Sequence, residues 1–255
     1  MVARLVLTAL EGVPTVCPGD DLAEIVLLSA SRSGVVLEDG DVVVVAQKIV
    51  SKAEGRFADL REVEPSPEAR ALAAQSAKDP RVVELILRES TEVVRVRPGV
   101  IIVEHRLGFV MANAGIDASN VECKSDEEAV LLLPEDPDAS AARLRDRLRA
   151  VAGVDLGVII NDSFGRAWRL GTIGTAIGAA GLPALLDLRG KPDRSGRRLQ
   201  VTDVGIADEL AAGTSLLMGQ AAEGRPIIHV RGFPYERREG SAAELIRPKD
   251  QDLFR

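Results

Sequence analysis

Hydrophobic positions along this chain fall into two patterns. Short apolar runs rich in β-branched residues occupy residues 2–9, 42–46, 156–161 and 226–230. Such runs predict buried strands. Helix-opening signals stand between them. Asp20-Asp21-Leu22-Ala23-Glu24 predicts a helix start with Asp20 as N-cap, and Ser66-Pro67-Glu68 predicts another with Pro67 at the first helical position. Further helices are predicted from Pro80 to Arg88, over residues 138–150, and from Gly205 to Gln220 with an end near Gly224. Residues 93–97, 100–104 and 109–112 are strand-like runs separated by Pro98-Gly99 and Gly108, and residues 129–133 form another. Closely spaced short strands predict antiparallel hairpins. Strict strand–helix alternation is absent. The fold class that follows is α+β, with mixed, largely antiparallel sheets and packed helices, rather than a doubly wound sheet. The 255 residues form one unit, 1–255, with room for two lobes. The polar tail, residues 239–255, is a surface helix or arm.

Composition narrows the partners. Apolar residues make up 46% of the chain and aromatics only 3%, so Val, Leu, Ile and Ala must build the core. The net charge of −7 and the few stacking aromatics argue against nucleic acid. No uncharged apolar run reaches the ~18 residues of a membrane span. The N-terminus reads as a first strand, not a signal peptide. Cys17 and Cys123 form no CxxC pair. Two unpaired thiols fit a reducing cytoplasm.

The common nucleotide and hydrolase motifs are missing. Gly190-Lys191 is followed by Pro192, so there is no Walker A loop, and there is no GxGxxG, HExxH or GxSxG. His105 and His229 lie in or beside strand-like runs, where packing is the commoner role.

Chemistry must therefore rest on rarer constellations. Asn161-Asp162-Ser163-Phe164-Gly165-Arg166-Ala167-Trp168-Arg169 follows a buried strand directly. That puts Asp162 at a sheet rim, where it suits Mg²⁺ or Mn²⁺, with Ser163 as a hydroxyl ligand. Arg166 and Arg169 suit phosphate or carboxylate oxygens and flank the only tryptophan. Asp117 and Asn120 follow a glycine-containing turn, which is equally an ordinary polar turn. Residues 46–55 deliver Lys48 and Lys52 to the end of a buried strand, where ammonium groups suit a triphosphate; alone, they read as solvated. The glycines Gly171, Gly174, Gly178 and Gly181 admit close backbone approach to a ligand, or simply tight packing. Met218-Gly219-Gln220 reads as a helix C-cap whose backbone also suits phosphate. The basic loop from Arg189 to Arg198 is a solvated face or a guide for an anionic substrate.

Taken in order, these segments resemble the coenzyme F420:L-glutamate ligase family, also called F420-0:γ-glutamyl ligase. The resemblance rests on Glu11-Gly12-Val13-Pro14, Gly40-Asp41 with the valines after it, Ser51-Lys52-Ala53-Glu54-Gly55, Ala114-Gly115-Ile116-Asp117 through Asn120, Asn161 to Arg166 with Trp168-Arg169, and Met218-Gly219-Gln220. It implies an intertwined homodimer. It implies ligation of L-glutamate to the lactyl carboxylate of F420-0, with GTP converted to GDP and phosphate, followed by further γ-linked glutamates. Asp117, Asp162, Ser163 and Gln220 are then the divalent-metal ligands, for Mg²⁺ or Mn²⁺, with K⁺ as a further cation. Val13, Pro14, Thr15, Val16, Gln47, Lys48, Lys52, Asn120 and Met218, Gly219, Gln220, Ala221, Ala222, Glu223, Gly224 and Arg225 form the GTP site. Lys52 then neutralises charge in the phosphoryl step. Apart from the resemblance, the position of Arg166 and Arg169 beside Asp162 leads to the expectation that they hold glutamate or acceptor carboxylates. The family's nitroreductase-like second domain has no counterpart in this sequence. Two other readings stay open: a GTP-dependent amide ligase or carboxylate kinase for another small acid, and a nucleotide-binding module without turnover.

Overall fold

The computed structural model of the chain describes residues 3–117 and 128–252. Asn120 and Cys123 lie outside the described residues. Among the described residues the first layer of organisation is a five-stranded sheet built from β1 (Val6–Ala9), β2 (Val42–Ala46), β8 (Gly157–Arg166), β9 (Arg169–Ala180) and β12 (Ile227–Arg231), in the order β1-β12-β2-β8-β9. Only β2 and β8 run parallel; the other neighbours are antiparallel.

The unbroken valine run of β2 has a simple cause. Val43 and Val45 enter a core shared with α1 (Leu22–Arg32) and α5 (Pro137–Ala152), while Val42 and Val44 enter a second core under α6 (Ile206–Met218). A strand covered on both faces needs no polar alternation. A smaller second lobe packs α3 (Pro67–Ser76) and α4 (Pro80–Arg88) on the sheet β4 (Ser90–Arg97), β5 (Val100–His105) and β6 (Val110–Ala112). Two further pairs, β3 (Phe57–Asp59) with β7 (Ala129–Leu131) and β10 (Leu186–Asp187) with β11 (Asp203–Val204), complete the strands. The α+β expectation and its hairpins are therefore met.

Local chemistry explains several boundaries. Asp21, not Asp20, caps α1, accepting from the Ala23 and Glu24 amides. Asp20 instead accepts from the Cys17 amide in the preceding turn. Ser66 and Asp79 cap α3 and α4, each with proline at the helix start, as the sequence predicts. Residues 47–53 are not a strand end but a helix, α2 (Gln47–Ala53). Strand β8 does not stop before Asp162 but runs on to Arg166 and turns into β9. Cys17 is disulfide-bonded, which corrects the expectation of two unpaired thiols. The tail forms two short 3-10 turns rather than a long helix.

Of the glycine ladder, Gly171, Gly174 and Gly178 lie in β9 and Gly181 follows it; tight packing accounts for Gly174, Gly178 and Gly181, while Gly171 has open space around it. A side chain on Gly174 would meet the Ala211 carbonyl oxygen of α6 at 2.3 Å, and one on Gly178 would meet the Pro137 carbonyl oxygen of α5 at 2.4 Å. A register shift between Ile160 and Asn161 lets these two glycines serve opposite faces. The open edge of β9 is closed by carboxylates. Asp208 accepts from the Ala176 amide and Asp138 from the Ala179 amide, at 2.9 and 2.8 Å. Closure of this kind removes an unpaired strand edge from solvent.

Candidate active site

One rim of the five-stranded sheet collects almost every residue the sequence singled out. Register fixes this. Ala9 faces Ile228, Ile227 faces Val45, and Ala46 faces Asn161. The loop after β1, the loop before β12, helix α2 and the continuation of β8 therefore leave the sheet at the same end. This is the carboxyl end of the parallel pair β2 and β8, where open sheets tend to bind ligands. Backbone hydrogen bonds tie the segments together: Leu10 donates to Ile227, Ala46 to Pro226, and Gly19 to Ala53.

Two side-chain groups occupy that rim. In the first, Lys48 Nζ lies 2.5 Å from Asp117 Oδ2. Asp117 itself is held by paired backbone bonds with Leu131. Asp162 lies within their field. Burial pushes its carboxyl up to about 6, and the Asp117 charge adds to that, against the Ser163 amide and the Lys48 charge. In the second group, Gln220 Nε2 donates to Ser163 Oγ at 3.0 Å. Strand alternation turns Asp162 and Ser163 to opposite sides of β8, so the four expected metal ligands stand as two pairs about the strand. The Ser163 amide bonds Asp162 Oδ1 at 2.8 Å.

The donor set fits a hard divalent cation. It offers two carboxylates, a hydroxyl and an amide oxygen, the ligands Mg²⁺ and Mn²⁺ accept. An enclosed carboxylate with its affinity for protons raised is one whose negative charge lacks compensation, and Lys48 already places a cation on its neighbour. Among the described residues no group of three or more His, Cys, Asp or Glu side chains gathers for a metal.

The nucleotide expectations are also placed. Val16 is buried, whereas Pro14 and Thr15 are exposed above the core that Val13 packs against. On α2, Gln47 and Lys52 are buried, and Gln47 Nε2 donates to Ser51 Oγ at 2.6 Å. Met218 is a core residue whose Sδ accepts from Asn161 Nδ2. After it the chain turns at Gly219, with φ 76°, and the Glu223 carboxylate accepts from the Ala221 amide. A side chain on Gly219 would meet Glu223 at 2.2 Å. Residues 219–225 thus form a tight, exposed loop at the rim. Arg166 and Arg169 face one another at the tip of the β8–β9 hairpin. Four strand residues separate Arg166 from Asp162, roughly 13 Å along the strand. β9 ends at Ala180, paired with Val158 at the opposite end of the sheet, before the chain runs on towards the basic loop.

Sequence reasoning passed over Asn161. Its Oδ1 is buried with no hydrogen-bond partner, 2.8 Å from where a side chain on Gly174 would begin. Its signal was an amide at a fully enclosed strand position. Such a group in a native protein marks a site with work to do or an absent partner.

A mixed sheet that brings carboxylates, an ammonium group and a glycine turn to one rim frames the candidate active site of an enzyme. The chain belongs to the F420-0:gamma-glutamyl ligase family, whose sequence profile matches residues 12–232, and it is a ligase. It is 47% identical to coenzyme F420:L-glutamate ligase of Methanothermobacter thermautotrophicus over 98% of both chains. It is 51% identical to the enzyme of that name from Methanopyrus kandleri, over 93% of this chain and 92% of the relative. The corresponding protein of Archaeoglobus fulgidus is 44% identical over 99% of this chain and 97% of its own. Among the described residues no helix is long and apolar enough to cross a membrane.

Proposed function

We propose that this protein adds L-glutamate to coenzyme F420-0, and then further γ-linked glutamates, in a reaction that consumes GTP and requires Mg²⁺ or Mn²⁺. The observation that carries this reading is the convergence of Lys48, Asp117, Asp162, Ser163 and Gln220 on one sheet rim. A carboxylate and an amine do not condense unaided at neutral pH. The acceptor carboxylate attacks the γ-phosphorus of GTP, the bond to the β-phosphate oxygen breaks, and an acyl phosphate and GDP result. The glutamate amine then attacks the acyl carbon and expels phosphate as the amide forms and the amine loses a proton.

This chain's residues serve that sequence by position and charge. Lys48 and Lys52 lie one helical turn apart on α2 and oppose the triphosphate's negative charge. The loop of residues 219–225 and the Val13–Val16 segment border the nucleotide. Asp117 and Asp162 on one side of β8, and Ser163 and Gln220 on the other, would hold divalent cations, which would screen phosphate charge when bound. K⁺ is a further cation of this reading. The active species is a homodimer working in the cytoplasm, and light scattering of the purified protein tests the assembly.

The decisive experiment mixes purified protein with F420-0, L-glutamate, GTP and Mn²⁺ and reads product mass. Mass increments of one glutamyl residue, lost in Asp162→Asn, are expected. GTP binding without any increment would point to a different acid as acceptor, or to a binding protein without turnover.

A further inference from the structure

The β8–β9 hairpin ends in an arrangement that folding alone does not explain. Arg166 and Arg169 pair across a two-residue turn formed by Ala167 and Trp168. Trp168 adopts φ 63° there, a left-handed conformation that favours Gly, Asn or Asp. It is the only tryptophan in a chain with 3% aromatics, yet it is 69% exposed. Leu170, two residues on, is 99% exposed. The turn is braced, since Arg166 Nη1 donates to the Gly171 carbonyl at 3.0 Å. The turn thus presents an indole from a loop flanked by two arginines.

We infer that Trp168, with Arg166 and Arg169, is the subsite for a planar aromatic group joined to an anionic linker, at the far end of the acceptor from its reacting carboxylate. Three features support the match. An exposed indole stacks on any flat π-face. Guanidinium groups pair with phosphate or carboxylate oxygens and also stack on rings. The tip also stands roughly 13 Å from Asp162 along a single strand, so one extended ligand can reach both. The nucleotide is the competing occupant, because the loop after α6 reaches β8 through Gln220 and Ser163, and titration with GTP separates the two. This inference rests on the acceptor reading proposed above and names its aromatic subsite. It makes Trp168 a specificity residue that acts on binding and not on the chemical step.

Because the indole is unique, its fluorescence reports the tip directly. Wild-type protein is titrated separately with F420-0, GTP, L-glutamate and flavin mononucleotide, the last a flat ring with an anionic tail and no acceptor carboxylate. Saturable quenching by F420-0, and more weakly by flavin mononucleotide, with none by GTP or glutamate, is expected. Trp168→Ala should raise KM for F420-0 about 10-fold, the effect of losing one stacked ring, with kcat and the KM for GTP unchanged. Trp168→Phe should restore most of it. Light scattering on each variant should give the wild-type mass. Quenching by GTP alone would overturn the assignment in favour of a base subsite. An unchanged KM, or a raised KM accompanied by a fall in mass, would overturn it in favour of a surface that holds a second copy. Should Trp168→Ala not fold, the wild-type titration decides alone. If F420-0 receives no glutamate yet still quenches Trp168, the ligase reading fails while the subsite stands.

Discussion

Two carboxylates in this protein have moved in opposite directions. Glu89, in the second lobe, is held at about 2. Burial alone would raise it, but the close approach of His105, the hydrogen bond from Arg106 and the charges of Arg106 and Arg56 overcome that. Asp162, at the sheet rim, is pushed up to about 6, with burial and Asp117 outweighing the Ser163 amide and Lys48. Asp162 is the more deeply buried of the two and has the weaker compensation, so one carboxylate is stabilised and the other is left wanting a cation. Compensation separates a structural acid from a functional one.

The comparison can be broken most sharply at Asp162. Replacing it with Asn should reduce ligase turnover roughly 100-fold or more, since even indirect partners of a metal site are worth 10–100-fold. Phosphate release from GTP measures this. Glu89→Gln should leave turnover intact while lowering stability near neutral pH by on the order of 2 kcal/mol, read by denaturant unfolding. If both variants lost activity alike, the distinction would collapse.

A packing control comes next. Gly174→Ala forces a methyl group towards the Ala211 carbonyl and Asn161 Oδ1, and should cost about 1–3 kcal/mol. A melting temperature equal to wild type would show that α6 moves freely over β9.

The smallest effects are those of pH. Glu89 has a depressed native value, so its contribution is present above the ordinary carboxylate range and is lost as pH falls from about 5 towards 2. Glu89→Gln should lose less stability over that interval than wild type. Asp162 has a raised value, so its ionisation destabilises the fold as pH rises through about 6. In metal-free buffer above that pH, Asp162→Asn should be more stable than wild type by on the order of 1 kcal/mol. The two melting-temperature profiles should therefore slope oppositely around their respective acids.

Much of this was legible in the chain itself. The valine run of β2, the prolines and caps of α3 and α4, and the hairpin punctuation at Pro98-Gly99 mark their elements because they are local steric and hydrogen-bonding signals. The motif Asn161-Asp162-Ser163 was visible as polar residues following an apolar run. Its placement was misread, because strand pairing with β9 carried β8 four residues past Asp162. Lys48 and Lys52 were assigned to a strand end, although α2 begins directly after Ala46. A short helix at a strand terminus leaves little periodic signal.

By itself the sequence determined which residues are chemically able to act, and the order in which they occur. Side-chain type and local propensity are properties of the chain. Only the tertiary structure decided that Asp117, Asp162 and Lys48 share one field, that Asn161 Oδ1 is stranded, and that Gly174 and Gly178 of β9 serve helix packing. Each of these depends on strand register and on the meeting of segments distant in sequence, which no local pattern encodes.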